Sequence, residues 1–207
     1  MNFINLVDYT GTFAFAISGI RLASSKNFDW FGAYVVGLVT AIGGGTTRDL
    51  LLGVTPFWML QPSYLIITGF ALICVLLFSK QLVHLKNTFF IFDAIGLGLF
   101  VVVGIEKSID AGFPFWVVIV MGMITGSLGG IMRDILINEV PLIFRKDIYA
   151  LACVFGGIVY YLCVVFHLQP EITQLLAAFS VILMRVIAVK YHLSLPVLKG
   201  RENAELK

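Results

Sequence analysis

The chain has 207 residues, of which 59% are hydrophobic and 13% are charged, with a formal net charge of +2. A soluble domain carries about 25% charged residues, so this chain cannot cover a core of its size in water and needs a bilayer as solvent. The net charge itself says little about partners, because the placement of basic residues matters more than their sum.

Apolar stretches long enough for a hydrocarbon core of about 30 Å fall at 3–22, 30–54, 62–79, 89–106, 114–137, 148–166 and 171–189. They predict an all-α integral membrane protein with seven transmembrane helices. No Lys or Arg precedes Arg21, so the first stretch lacks the charged n-region of a signal peptide and reads as a retained span. The second span holds Gly43-Gly44-Gly45 followed by Arg48-Asp49, and the fifth holds Gly129-Gly130 followed by Arg133-Asp134. Cys74, Cys153 and Cys163 all lie in apolar runs without a C-x-x-C pair and read as small buried hydrophobes. The region 193–207 reads as a charged cytoplasmic tail.

With the N-terminus outside, ten Lys/Arg lie on the inner side: Arg21, Lys26, Lys80, Lys86, Arg145, Lys146, Lys190, Lys199, Arg201 and Lys207. Only Lys107 then lies outside, while Arg48, Arg133 and Arg185 sit within spans. The positive-inside rule therefore predicts N-terminus outside and C-terminus cytoplasmic. Arg185 reads as a side chain that snorkels inward.

The chain matches itself at an offset of 85. Asp8 pairs with Asp93, Gly11 with Gly96, Phe15 with Phe100 and Gly19-Ile20 with Gly104-Ile105. Thr40 pairs with Thr125, Gly44-Gly45 with Gly129-Gly130, Arg48-Asp49 with Arg133-Asp134, Pro56 with Pro141 and Tyr64 with Tyr149. Three spans per copy force the second copy to enter from the other side, which makes an inverted repeat. The organisation expected is repeat 1 at 1–80, repeat 2 at 86–166, a seventh span at 171–192 and the tail at 193–207.

Consecutive glycines weaken a helix by about 1 kcal/mol each relative to Ala. The glycine groups therefore predict a kink or a break in the second and fifth helices, beside a polar path. Close helix packing along a stripe of small residues is expected as well, and the competing reading is that packing alone, without a kink. An ion in hydrocarbon costs at least ~2.5–3.5 kcal/mol, so the Arg-Asp pairs either pin helices together or line a cation pathway. Adjacent helical residues point about 100° apart, so Arg48 need not pair with Asp49. Asp8 and Asp93 read either as helix caps or as acids at opposite mouths of one pathway, with Glu106 and Glu139 as weaker candidates.

Enzyme signatures are missing. His84, His167 and His192 are dispersed without metal-ligand spacing, no Walker lysine follows the glycines, and no nucleophile elbow occurs. No catalytic residue, metal site, cofactor or nucleic-acid partner is expected.

The 3+3+1 spans, the Gly-Gly-x-x-Arg-Asp motif near the end of the second and fifth spans, and Pro56 and Pro141 beyond it resemble the prokaryotic branch of the trimeric intracellular cation (TRIC) channel family. The resemblance covers about residues 3–190. It implies a homotrimer in membrane lipid, with a pore in each protomer between the inverted halves, permeable to K⁺ and less selectively to Na⁺. It places Gly43, Gly44, Gly45, Gly129 and Gly130 at pore kinks and Arg48, Asp49, Arg133, Asp134, Asp8 and Asp93 as pore or gate charges. Where animal members carry a Lys-Glu-Val phosphoinositide-binding motif, this chain has Arg-Asp. The rival expectation is a secondary transporter of a small solute such as glycine, since broken helices at a repeat interface also mark carriers.

Overall fold

A computed structural model describes residues 3–78, 88–145 and 148–196. Seven long helices dominate it: α1 (Phe3–Ser25), α2 (Trp30–Leu51), α3 (Ser63–Leu77), α4 (Thr88–Asp110), α5 (Phe115–Leu136), α6 (Ala150–Val165) and α7 (Pro170–Lys190). The link at 79–87, Lys146, Asp147 and the tail from 197 onward lie outside the described residues, and so do the basic residues assigned to them.

By length and composition α1, α4, α5 and α7 can each cross a membrane, and α3 and α6 are shorter apolar helices of 15 and 16 residues. At 1.5 Å per residue the shorter pair reach only about 22–24 Å. The second span stops at Leu51 rather than at 54. The chain turns back there through a one-turn helix, Phe57–Leu60, before α3 begins, and Leu142–Phe144 forms the matching 3-10 turn before α6.

The repeat is visible in how helices end. Gly53 has φ +73 and Asn138, 85 residues later, φ +57; Asn27 has φ +59 and Gly112 φ +79. Each closes its helix with a left-handed residue, and the next amide donates back to the last turn: Val54 to the Asp49 carbonyl, Glu139 to that of Asp134, Phe28 to that of Ala23 and Phe113 to that of Ser108. Gly and Asn tolerate that backbone most cheaply, and each repeat uses one of each to end its first two helices.

The core forms where the repeats face each other. Phe15 of α1 stacks edge-on against Phe100 of α4, with ring centroids 5.2 Å apart. Each ring lies over the other repeat's glycine: Phe100 meets Gly11 and Phe15 meets Gly96. Since the partner number falls along α4 as it rises along α1, these helices are antiparallel, and α2 and α5 cross in the same sense. At that crossing a Cβ on Gly44 would overlap the Thr125 carbonyl oxygen, and one on Gly129 would overlap the Thr40 carbonyl oxygen.

Neither helix breaks at its glycines. Each runs as one 22-residue helix, so the break anticipated from local propensity is absent. The glycines instead let two backbones touch, a gain that per-residue propensity cannot register. Thr40 and Thr125 bond their own helices, donating to the Val36 and Met121 carbonyls, and so keep their hydroxyls satisfied at this buried crossing.

Candidate functional site

The Arg-Asp pairs sit at the ends of α2 and α5 and do the same local job in both repeats. Arg48 Nε donates to Asp49 Oδ1 at 2.8 Å, and Arg133 Nε to Asp134 Oδ1 at 2.9 Å. The long arginine arm thus closes the 100° between neighbours, and the pairing left open by helix geometry occurs. The second carboxylate oxygen holds the returning chain: Phe57 N–H donates to Asp49 Oδ2 at 2.9 Å and Leu142 N–H to Asp134 Oδ2 at 3.0 Å. All four side chains are at most 3% exposed.

Asp8 and Asp93 do not cap helices. Each lies past the first turn, and each is buried. From here the halves differ. Asp93 accepts from Arg133 Nη1 at 2.6 Å, and Arg185 of α7 lies 3.9 Å away. Arg133 Nη1 also reaches Ser18 of the other repeat at 2.8 Å. Asp8 makes no such ion pair among the described residues. Its Oδ2 accepts from the Tyr64 hydroxyl at 2.8 Å, whereas the hydroxyl of Tyr149, the repeat mate of Tyr64, has no hydrogen-bond partner.

Arg185 does not snorkel. It is 1% exposed, donates to the Ile148 carbonyl at 3.0 Å and packs over the Tyr149 and Phe90 rings. A buried carboxylate, a carbonyl and two ring faces hold it in place of water. Sequence reasoning gave no site role to Tyr64, Tyr149, Ser18 or Lys107. The first two were detectable, because they recur at the repeat offset. Lys107 sits 5.2 Å from the centroid of Phe57, and its mate in the repeat is Leu22.

Two cavities flank this bundle at opposite ends. At the end where α1 starts, about 500 Å³ is lined by Asp49, Leu52, Phe57, Lys107 and Asp110 among others. At the other end, about 220 Å³ is lined by Leu22, Ser25, Lys26, Asp134, Leu142 and Arg145 among others. Adding or subtracting 85 turns most of one lining into the other, so they are one feature seen from both sides. Of the weaker candidates, Glu139 closes the smaller cavity, where its hydrogen bond from Lys26 and the nearby Arg145 hold its carboxyl below the ordinary range. Glu106 lies at the larger end, where it accepts from Tyr160 and Gln174. The glycines Gly43, Gly44, Gly45, Gly129 and Gly130, expected at kinks, lie between the two ends. Gly45 is tight against the Phe57 ring, Gly130 against the Tyr149 hydroxyl and Gly43 against Met132.

The comparisons agree with this architecture. A family model described as glycine transporter matches twice, over residues 5–80 and 90–164. A UPF0126 membrane protein of Vibrio cholerae is 40% identical over 193 residues, covering 92% of this chain and 81% of the relative. The UPF0126 inner membrane protein YadS of Escherichia coli is 38% identical over 203 residues, covering 95% and 97%. The solved structure of a TRIC trimeric intracellular cation channel orthologue from Rhodobacter sphaeroides superposes with a TM-score of 0.85 at 32% identity, covering 93% of this chain and all of that one. With the doubled family match and this likeness over nearly its whole length, the chain belongs to the prokaryotic TRIC channel family.

Proposed function

We propose that the chain is a monovalent cation channel, passing K⁺ and less selectively Na⁺ along a path within each protomer between the inverted repeats. The observation that carries this reading is the pair of repeat-related cavities at opposite ends of one antiparallel bundle. Each is edged by an aspartate that is already paired to a neighbouring arginine. In this reading Asp49 and Asp134 draw cations to the two mouths, and Arg48 and Arg133 set the local field. The glycine contacts of α2 and α5 form the constriction between the mouths, with Asp8 and Asp93 toward opposite ends of the path. The protomer works in a homotrimer in the inner membrane, as the relatives named trimeric and inner membrane suggest.

Purified protein in a planar bilayer should give discrete K⁺ current steps. The rival reading, a carrier for a small solute such as glycine, draws on the family model's description. Saturable glycine uptake without unitary currents would favour the carrier and refute the channel.

The orientation proposed is N-terminus outside. A cysteine placed at Gln169 should react with an impermeant maleimide applied to intact cells, and one placed at Ser25 should react only after permeabilisation. The reverse pattern would invert the topology.

A further inference from the structure

Lys107, near the end of α4, is half-buried in the wall between two cavities. One is the mouth of about 500 Å³, which it lines with Asp49, Phe57 and Asp110. The other, about 360 Å³ beside α1 and the start of α7, it lines with Asp8, Glu106, Asp110 and Glu171. Acids therefore lie on both sides of its ammonium, yet among the described residues it is in no ion pair. Its contact is the Phe57 ring, 5.2 Å from Nζ to the centroid, and the Arg48 guanidinium lies 5.5 Å from the same centroid. Phe57 is itself fixed beside Asp49, to whose Oδ2 its N–H donates. A ring face holds a cation more loosely than the charge-assisted hydrogen bond that ties Arg48 to Asp49.

The narrower mouth is built differently at this position. The repeat mate of Lys107 is Leu22, and the two cations lining that mouth, Lys26 and Arg145, are both in ion pairs with Glu139. Arg48 and Arg133 are engaged with carboxylates as well. The loose cation thus belongs to one end of the path only.

We propose that Lys107 is a tethered counter-ion of the wider mouth: its ammonium holds the place near Asp49 that a permeant cation takes, and yields it by turning toward the acids of the neighbouring cavity. The proposal rests on the channel reading for where cations enter. An ammonium is a compact point charge on a flexible four-carbon stem, so it replaces an alkali cation in charge and moves without dismantling a fork of hydrogen bonds. Asp8, Glu106, Asp110 and Glu171 set a negative potential on the far side of the wall, which keeps the displaced ammonium compensated. Competition is the consequence. In dilute K⁺ the chain fills its own mouth, and in concentrated K⁺ the permeant ion wins. A chain without this charge reaches the same occupancy at lower K⁺.

The test compares the wild type with Lys107→Met, which keeps an apolar stem over Phe57 and drops the charge. Thermal unfolding of the purified full-length protein in detergent is followed while K⁺ replaces N-methyl-D-glucamine at constant ionic strength. In Lys107→Met, K⁺ should raise Tm saturably by ~2–4 °C, as expected of an ion bound to the folded state alone. The wild type should shift by less than half as much, and Lys26→Met at the other mouth should respond like the wild type. In planar bilayers with dilute KCl, the Lys107→Met current should exceed the wild-type current by about twofold or more, and the two should converge in concentrated KCl as screening grows. Lys107→Gln carries both readouts if Lys107→Met fails to fold. Equal responses of Tm to K⁺ in the wild type and the Lys107 variant would overturn the proposal, and so would an equal or smaller variant current in dilute KCl. A wild type that carries no current refutes the channel reading instead, and the unfolding comparison then decides the role of Lys107 by itself.

Discussion

Asp93→Asn is expected to destabilise the purified protein by ~3–5 kcal/mol, the usual result of stranding a buried charge by removing its partner. Two guanidinium groups depend on that carboxylate, Arg133 at 2.6 Å and Arg185 at 3.9 Å, and all three side chains are essentially sealed from solvent. Arg133 keeps Asp134, but Arg185 keeps only a carbonyl and aromatic faces. The same change at the repeat mate, Asp8→Asn, should cost about 1 kcal/mol, the difference between a charged and a neutral acceptor for the Tyr64 hydroxyl. Thermal unfolding in detergent reads both. Adding Arg185→Gln to Asp93→Asn should recover part of the loss. Equal losses at positions 8 and 93 would mean that the two halves are electrostatically alike, contrary to the geometry.

The second large effect lies at the crossing of α2 and α5. Gly44→Ala adds one methyl group, which at an ordinary helix position stabilises by about 1 kcal/mol. Here the Cβ would overlap the Thr125 carbonyl oxygen, a backbone atom that cannot swing away. The sign should therefore reverse, with a loss of at least ~1–3 kcal/mol from overpacking and a larger loss for Gly44→Leu. Gly129→Ala should behave alike against Thr40. Gly69 in α3 is the control, because its nearest neighbour is the edge of the Tyr34 ring at 4.0 Å. Gly69→Ala should leave stability unchanged or raise it. A tolerated Gly44→Ala would show that the two helices do not meet backbone to backbone.

These contrasts mark where sequence reading works and where it stops. The repeat was legible because Asp, Arg-Asp, Pro and Gly recur at one offset in a background of interchangeable apolar residues. The inverted sense followed from an odd number of spans. For the glycines, close packing was legible as a small-residue stripe and the break does not occur, but propensity treats a helix alone and could not name the partner, a backbone carbonyl in the other repeat. The difference between the halves was hidden for a related reason. Asp8 and Asp93 are the same residue in the same local motif, and their fates diverge through third parties. Ser18, which receives Arg133, is matched by Val103, and Arg185 arrives from the unpaired seventh helix. A self-alignment reports what repeats, so the residues that break the symmetry fall outside it.

The two end cavities are related by the repeat yet differ more than twofold in volume, 500 against 220 Å³. Their charges differ as well. Beyond the Arg48 and Arg133 partners of Asp49 and Asp134, the wider lining adds Asp110 and Lys107, whereas the narrower adds Glu139 with two cations, Lys26 and Arg145. If the proposed channel runs between these two cavities, its unlike mouths are expected to make it behave as a diode. Cations would then accumulate at the wider entrance and be supplied from there faster than from the narrower one, so that equal and opposite voltages drive unequal currents. Dilute salt sharpens the rectification because screening weakens, and concentrated salt makes the current–voltage curve straight.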